Sequence, residues 1–260
     1  MSNKFRFAGI EIDNLTIDEV LDRIKELIEK NKKSYIVAPN AAHIVLLQKD
    51  KEFKKAYEKA EMVLADGMSI LFASYLLGVP LRAKCSGADL FPKICELLYN
   101  MNKKIFILGG VNGSEKIAEE KLKKMYPGIK VKTYSPPIGF ENDEYETKRI
   151  IEIINDFSTD FLFLCTGAPK SEKWIYKNID RLNIKVAFHV GMALNFFAGV
   201  KKRAPRLLQK IGLEWFWRLV QEPKRLWRRY LVGNTVFIWL ILKEFINRKI
   251  IRFNRLWYIW

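Results

Sequence analysis

The first 200 positions of the chain alternate between two hydrophobic rhythms. Short, nearly continuous apolar runs read as strands: SYIVA (34–38), MVLA (62–65), KIFILGG (104–110), KVKTY (130–134), DFLFLCTG (160–167) and KVAFHVG (185–191). They are rich in Ile, Val and Phe, and several end in Gly or Asp. Between them the apolar residues fall at helical spacing. Residues 16–31 place Val20, Leu21, Ile24, Leu27 and Ile28 on one face, and 50–60, 87–99, 114–125, 143–156 and 170–182 behave similarly. Ser114, followed by Glu115 and Lys116, is placed to cap a helix start. The alternation predicts an α/β sandwich around a largely parallel sheet, with ligands beyond the carboxyl ends of its strands.

No internal repeat, low-complexity run or Pro/Gly/Ser linker interrupts this pattern. The composition shifts once, near 198–202, which divides a body (1–200) from a tail (201–260). The 260 residues (30.5 kDa, 49% hydrophobic, 28% charged) suffice for a sizeable core. Three cysteines, Cys85, Cys95 and Cys165, have no CxxC spacing, which argues against a disulfide framework or a structural zinc site and for a reduced, intracellular setting. The N-terminal MSNKFRFAGIEIDN has no apolar core of a secretory signal. The net charge of +16 is unevenly spread: residues 201–260 hold 15 Lys and Arg against 3 acids, and six of the seven tryptophans. Such a tail is expected to meet something anionic, nucleic acid or a lipid surface.

Candidate chemistry sits where strands end. In Ala38-Pro39-Asn40-Ala41-Ala42-His43, Pro39 stops the strand and Asn40 is a helix cap. His43 reads as a polar core residue, since no other His, Asp or Cys lies at metal-ligand spacing around it. In Ala65-Asp66-Gly67-Met68 the acid is either the cap of a helix over 68–77 or a general base facing a cleft. The loop Leu108-Gly109-Gly110-Val111-Asn112-Gly113-Ser114 offers backbone N–H groups suited to a phosphate or ribose, although it is neither a P-loop nor a full GxGxxG. Cys165-Thr166-Gly167-Ala168-Pro169-Lys170 and the stretch from Gly191 through Asn195 to Gly199 repeat the strand–turn–helix arrangement. Several such turns on one sheet edge predict a ligand cleft.

In the tail, Arg218, Arg225 and Arg228 differ by seven and three, so on a continuous helix they share a face; Pro223 either kinks that helix or starts another. The face is either merely solvated or a site for a diphosphate, which Arg pairs bidentately. The apolar run 230–242 is 13 residues long and contains Gly233 and Asn234. A spanning helix needs about 20 apolar residues. Flanked by Arg, Lys and Trp, the run reads as a helix in the interface of an anionic membrane. Its aliphatic content fits lipid or a partner helix better than nucleic acid.

Together these residues resemble the WecG/TagA/CpsF glycosyltransferase family, from about Asn14 to Phe237. The likeness is carried by PNAAHIV, LADGMSI, SGADLF (86–91), ILGG, CTGAPKSEKWI (165–175), VGMALNFFAG (190–199), KRAPRLLQKIGLEWFWRL (202–219) and EPKRLWRRYL (222–231). The resemblance implies a Rossmann-like fold and an inverting, metal-independent transfer with no cofactor. An N-acetylmannosamine-type sugar would pass from a UDP donor to a polyprenyl-diphosphate-linked GlcNAc at the cytoplasmic membrane face, giving a ManNAc-β-1,4-GlcNAc lipid for teichoic acid or surface polysaccharide. It also implies self-association, and no nucleic-acid partner.

By position, Asp66 matches the candidate base. Asn40, Lys84, Ser171, Arg218, Arg225 and Arg228 match substrate or diphosphate positions, and Gly109, Gly110, Asn112, Gly167 and Asn195 the nucleotide side. Four residues depart from the family's usual ones: Ala38 for Thr or Ser, Lys84 for Arg, Ser171 for Gln and Asn195 for Asp. The competing readings are a nucleotide-binding membrane module without catalysis and a nucleic-acid-binding protein.

Overall fold

The structure, a computed structural model, describes residues 4–257, with side chains to Lys249 except that of Arg229. It opens with β1 (Phe5–Phe7), β2 (Ile10–Ile12), α1 (Ile17–Glu29), β3 (Ser34–Val37), α2 (Ala41–Leu47), α3 (Lys51–Glu58) and β4 (Met62–Val63). Next come α4 (Met68–Leu76), α5 (Gly87–Asn100), β5 (Ile105–Leu108), α6 (Ser114–Met125), β6 (Val131–Tyr134), α7 (Glu144–Asp156), β7 (Phe161–Leu164), α8 (Lys170–Asn178) and β8 (Val186–His189). The chain ends with α9 (Ala193–Ala198), α10 (Arg206–Lys210), α11 (Glu214–Gln221), α12 (Pro223–Trp227), a π-helical turn over Arg228–Val232, and α13 (Gly233–Trp257). Trp260 lies outside the described residues.

The six apolar runs are the six strands of one parallel sheet, in the order β4-β3-β8-β7-β5-β6. The inner strands are buried at every position, because helices cover both faces; their sequences are therefore continuously apolar rather than alternating. One face carries α2, α3, α4, α7, α8 and α13, the other α1, α5, α6 and α9. The helices start as their polar residues dictate. Thr16 and Glu19 form a reciprocal capping box, in which Thr16 Oγ1 accepts from Glu19 N at 3.3 Å and the Glu19 carboxylate from Thr16 N at 2.8 Å.

Two local features differ from expectation. Ser114 does not cap α6. The cap is Gly113 in the left-handed region, and Ser114 Oγ accepts from Val111 N at 3.0 Å, folding the glycine loop back on itself. The N-terminal residues also form an antiparallel hairpin, with Phe5, Phe7, Ile10 and Ile12 inward and Arg6 and Glu11 outward. Its turn, Ala8-Gly9, takes positive φ at both positions, the geometry of a two-residue hairpin turn.

The tail is helical but not one helix. At Glu222 the backbone leaves helical geometry (φ −136°, ψ 61°), and Pro223 starts α12. Arg218 and Arg225 therefore sit on separate helices rather than on one continuous face. The apolar run splits in two ways. Tyr230, Phe237 and Ile241 are buried, with Phe237 meeting Phe7 edge-on at 5.8 Å. Leu231, Val232, Ile238, Trp239, Leu242 and Ile246 face outward. Arg248 pins the far end by donating to Leu77 O at 2.9 Å and to Arg6 O at 2.5 Å. Among the described residues no helix is long and apolar enough to cross a membrane.

This split sets an expected contrast. Phe237→Ala removes a buried ring and should cost about 3 kcal/mol in urea unfolding. Trp239→Ala on the outer face should stay within about 0.5 kcal/mol. Equal losses from the two would contradict the packing of α13 on the body.

Candidate active site

The sheet ladder itself delivers Asp66. Beyond β4 the pairing with β3 continues, through Leu64 N to Val37 O at 2.8 Å and Asp66 N to Pro39 O at 3.1 Å. Asp66 is therefore held beside Asn40 at the carboxyl ends of the strands. Cys85 N donates to Ala65 O at 2.8 Å, which brings the Lys84 turn alongside. The helix that follows begins at Gly67 (φ 107°) with no side-chain cap. Asp66 therefore does not cap that helix.

Asn40 caps α2, its Oδ1 accepting from Ala42 N at 3.1 Å and His43 N at 3.3 Å. That use of the oxygen leaves the amide N–H₂ available on the side of Asp66, which the ladder holds next to Asn40. The third contribution comes from the tail. Gly212 lies against the start of α4, where an added Cβ would stand 3.1 Å from Met68 Cβ. The turn into α11 brings Glu214 and Arg218 into electrostatic reach of Asp66.

An ionic chain holds the tail there. Arg203 reaches Asp89 at 2.7 Å and Glu214 at 3.4 Å. Asp89 also meets Lys84 at 3.3 Å and accepts from Ser86 Oγ at 2.6 Å. Lys202 O accepts from Trp217 Nε1 at 3.3 Å and Gln221 Nε2 at 3.2 Å, and Lys201 pairs with Glu222 at 2.9 Å. Arg203, Asp89 and Glu214 lie inside the family-like blocks of the sequence without being candidates there; their one signal is charge of opposite sign in separate blocks.

The half-buried Asp66 carboxyl is pushed up to about 6. Burial is the main cause and the Glu214 carboxylate adds to it; Lys84, Arg218 and the Asn40 amide oppose them. A carboxylate so placed is largely ionised at neutral pH yet basic enough to take a proton.

The other candidate residues are distributed as follows. Gly109 and Gly110 have positive φ (96° and 140°), as has Asn112 (51°). A Cβ at Gly109 would stand 2.8 Å from Cys165 C and 2.9 Å from Thr166 N, so the ends of β5 and β7 touch only because no side chain intervenes. Gly167 follows β7 at φ 87°. Ser171 is fully buried, its Oγ 2.7 Å from Thr166 Oγ1. Asn195, buried on α9, has a side-chain oxygen with no hydrogen-bond partner, an acceptor lacking a donor near the strand ends. Arg225 pairs with Glu222, and the Arg228 guanidinium lies over the Trp227 ring at 5.2 Å.

His43 is buried, as expected of a core residue, but it has titratable company. The fold gathers His43, Glu172 and His189 so that one donor atom of each lies within 4.8 Å of the others. Residues so far apart in sequence leave no spacing signal. Cys85, Cys95 and Cys165 are free thiols in the core.

The Asp66 carboxyl has a signed consequence for stability. Because its folded value exceeds that of the unfolded chain, the native state keeps a proton that the unfolded state releases between about pH 4 and about pH 6. This contribution is full below the unfolded value and is lost as pH rises through about 6. Asp66→Asn should therefore gain on the order of 1–2 kcal/mol over the native protein at about pH 8 relative to about pH 4. Urea titrations at the two pH values check this, and a pH-independent difference would contradict it.

Comparison with known proteins bears on the whole of this arrangement. The N-acetylglucosaminyldiphosphoundecaprenol N-acetyl-beta-D-mannosaminyltransferase of Staphylococcus aureus strain MRSA252 is 30% identical over 249 residues, covering 95% of this chain and 94% of its own. The protein of the same name from strain MW2 is 29% identical over the same shares. Among solved structures, the glutamate racemase RacE1 of Bacillus anthracis overlaps 69% of this chain and 82% of its own at 17% identity, with a TM-score of 0.26. The description of the WecG/TagA/CpsF glycosyl transferases matches residues 5–250, body and tail alike, and the chain belongs to that family.

Proposed function

We propose that this protein transfers N-acetylmannosamine from UDP-N-acetylmannosamine to GlcNAc-diphospho-undecaprenol, with inversion at the anomeric carbon. The observation that carries the reading is the Asp66 carboxylate. It caps no helix, it stands at the strand ends between body and tail, and its proton affinity suits a general base. Donor and acceptor identities follow the names of the Staphylococcus aureus relatives.

In this mechanism Asp66 takes the proton of the acceptor GlcNAc hydroxyl. The freed oxygen attacks the anomeric carbon of the donor, the bond from that carbon to the UDP oxygen breaks, and UDP leaves with the electron pair. Negative charge then grows on the departing diphosphate. Arg218, already near Asp66, offsets it, and Arg225 and Arg228 follow on the next helical segments. Gly109, Gly110, Asn112 and Gly167 form the nucleotide side, and the unpartnered Asn195 oxygen is an acceptor for a donor on the base. Asn40 orients Asp66, while Lys84 and Ser171 belong to the acceptor side.

The membrane enters through the outer face of α13 and its approach. Leu231, Val232, Ile238, Trp239, Leu242 and Ile246 are exposed apolar side chains on a tail of 15 basic and 3 acidic residues. Such a face suits the interface of an anionic leaflet at the cytoplasmic side, where the lipid-linked acceptor presents its diphosphate. Body and tail act as one catalytic unit in this reading, with residues 201–260 completing a site founded on 1–200.

The test is transfer from UDP-N-acetylmannosamine to a GlcNAc-diphospho-lipid held in vesicles, followed by mass spectrometry. Asp66→Asn should lower turnover about 100-fold or more while UDP still binds. Arg218→Ala should lower it about 100- to 1000-fold. Neutral vesicles should support less turnover than anionic ones, and the difference should shrink as salt rises. Asp66→Asn turning over within about threefold of the native enzyme would remove the carboxylate from the mechanism.

A further inference from the structure

Beneath Asn40 the interior holds titratable groups that the transfer mechanism does not use. His43, Tyr57, Glu172 and His189 come from α2, α3, α8 and the end of β8, and each is at least 94% buried, Glu172 completely. Tyr57 donates to Glu172 Oε1 at 3.4 Å, and His43 Nδ1 lies 3.0 Å from the Tyr57 hydroxyl. With the Tyr57 proton committed to Glu172, His43 Nδ1 is the donor of that second bond. Glu172 Oε1 also stands 3.9 Å from His43 Nδ1 and 3.6 Å from His189 Nε2. A carboxylate fully removed from water costs several kcal/mol unless its surroundings hold it in one place. It therefore fixes the elements that supply its partners.

We propose that Glu172 is a positioning residue for Asp66, acting through His43 and the first turn of α2 to set the direction of the Asn40 amide. The geometry runs in short steps. Glu172, through Tyr57, restrains His43. The backbone N–H of His43 and that of Ala42 hold Asn40 Oδ1. The oxygen being taken, the amide N–H₂ is the end left for Asp66, whose backbone N–H is bonded to the carbonyl of Pro39, the residue before Asn40. A loosened first turn lets the amide rotate, and Asp66 loses a donor. This inference rests on the reading of Asp66 as the base for its importance to catalysis, but not for its test.

Three of these groups, His43, Glu172 and His189, are also of types that a transition metal takes. One feature favours the hydrogen-bonded network. His189 Nδ1 is buried with no acceptor among the described residues, whereas a metal-bound imidazole ordinarily donates from its other nitrogen.

The experiment is a ¹³C-carboxyl NMR titration of Asp66 in the full-length protein, assigned with Asp66→Asn. It compares the native chain with Glu172→Gln, Asn40→Ala and the double variant. The charged and titratable groups facing Asp66 are Glu214 and Arg218 from the tail, Lys84 from the turn before α5 and Tyr57 from α3, and all stay in place. Through-space electrostatics alone would lower the Asp66 midpoint when the negative charge of Glu172 is removed. Loss of the Asn40 donor raises it. Glu172→Gln is expected to raise the midpoint by about half to one pH unit, Asn40→Ala to raise it similarly, and the double variant to go no further than Asn40→Ala.

A folded Glu172→Gln with an unmoved or lowered midpoint, or an additive double variant, would overturn the inference, as would one equivalent of a first-row metal in the purified protein. Should Glu172→Gln fail to fold, Glu172→Asp keeps the charge but draws the carboxylate back from Tyr57 by one methylene, and is expected to raise the midpoint by a smaller amount; no movement there overturns it too. Because the titration is read without turnover, its failure is distinct from failure of Asp66 as the base, which the transfer assay reports.

Discussion

The guanidinium of Arg203, held between Asp89 of the body and Glu214 of the tail, is the contact on which the site depends. Asp89 belongs to the first turn of α5, where Ser86 caps the helix and donates to it. Glu214 opens α11, four residues before Arg218. One planar cation thus converts a fixed point on the body into a fixed position for a tail arginine beside Asp66. The arrangement is asymmetric in energy. Removing the cation leaves two carboxylates facing each other in a partly desolvated space, which costs more than the bridge itself contributes.

The same contact explains why the proton affinity of Asp66 is a property of body and tail together. Burial raises it, and Glu214, delivered by the bridge, raises it further; Arg218, delivered by the same helix, opposes both. The site pays for this in stability, since an ionised carboxylate held out of water is a burden on the native state at neutral pH. Beneath it, the buried Glu172 network fixes α2, and the ladder from β3 to Asp66 fixes the backbone. Three independent restraints therefore converge on one carboxylate.

Much of this was legible in the chain. The six apolar runs are the six strands, because a doubly covered parallel sheet leaves strand interiors no polar face to confuse the pattern. Asn40 and Asp66 stood out because Pro39 and Gly67 mark the strand ends. The hairpin of 5–12 escaped because each of its strands is three residues long. Ser114 escaped because a Ser after glycines has two uses, and the loop rather than the helix takes it. The arginine spacing assumed one helix, whereas Glu222 and Pro223 break it. The inner and outer faces of 230–242 could not be told apart from composition, since lipid and a protein core select the same side chains. Glu172 and His189 carry no local signal at all; only the closure of the sheet brings them to His43.

The most direct test of the account is the pH dependence of single-turnover transfer in the full-length enzyme, compared with Glu214→Gln. If Asp66 is a base whose affinity is set across the bridge, the native profile has an acid limb at about 6. Removing the Glu214 charge, and freeing the Arg203 cation from it, moves that limb to lower pH by about half to one unit. A limb near the ordinary carboxylate range in the native enzyme, or one that stays in place when Glu214 is neutralised, would contradict it.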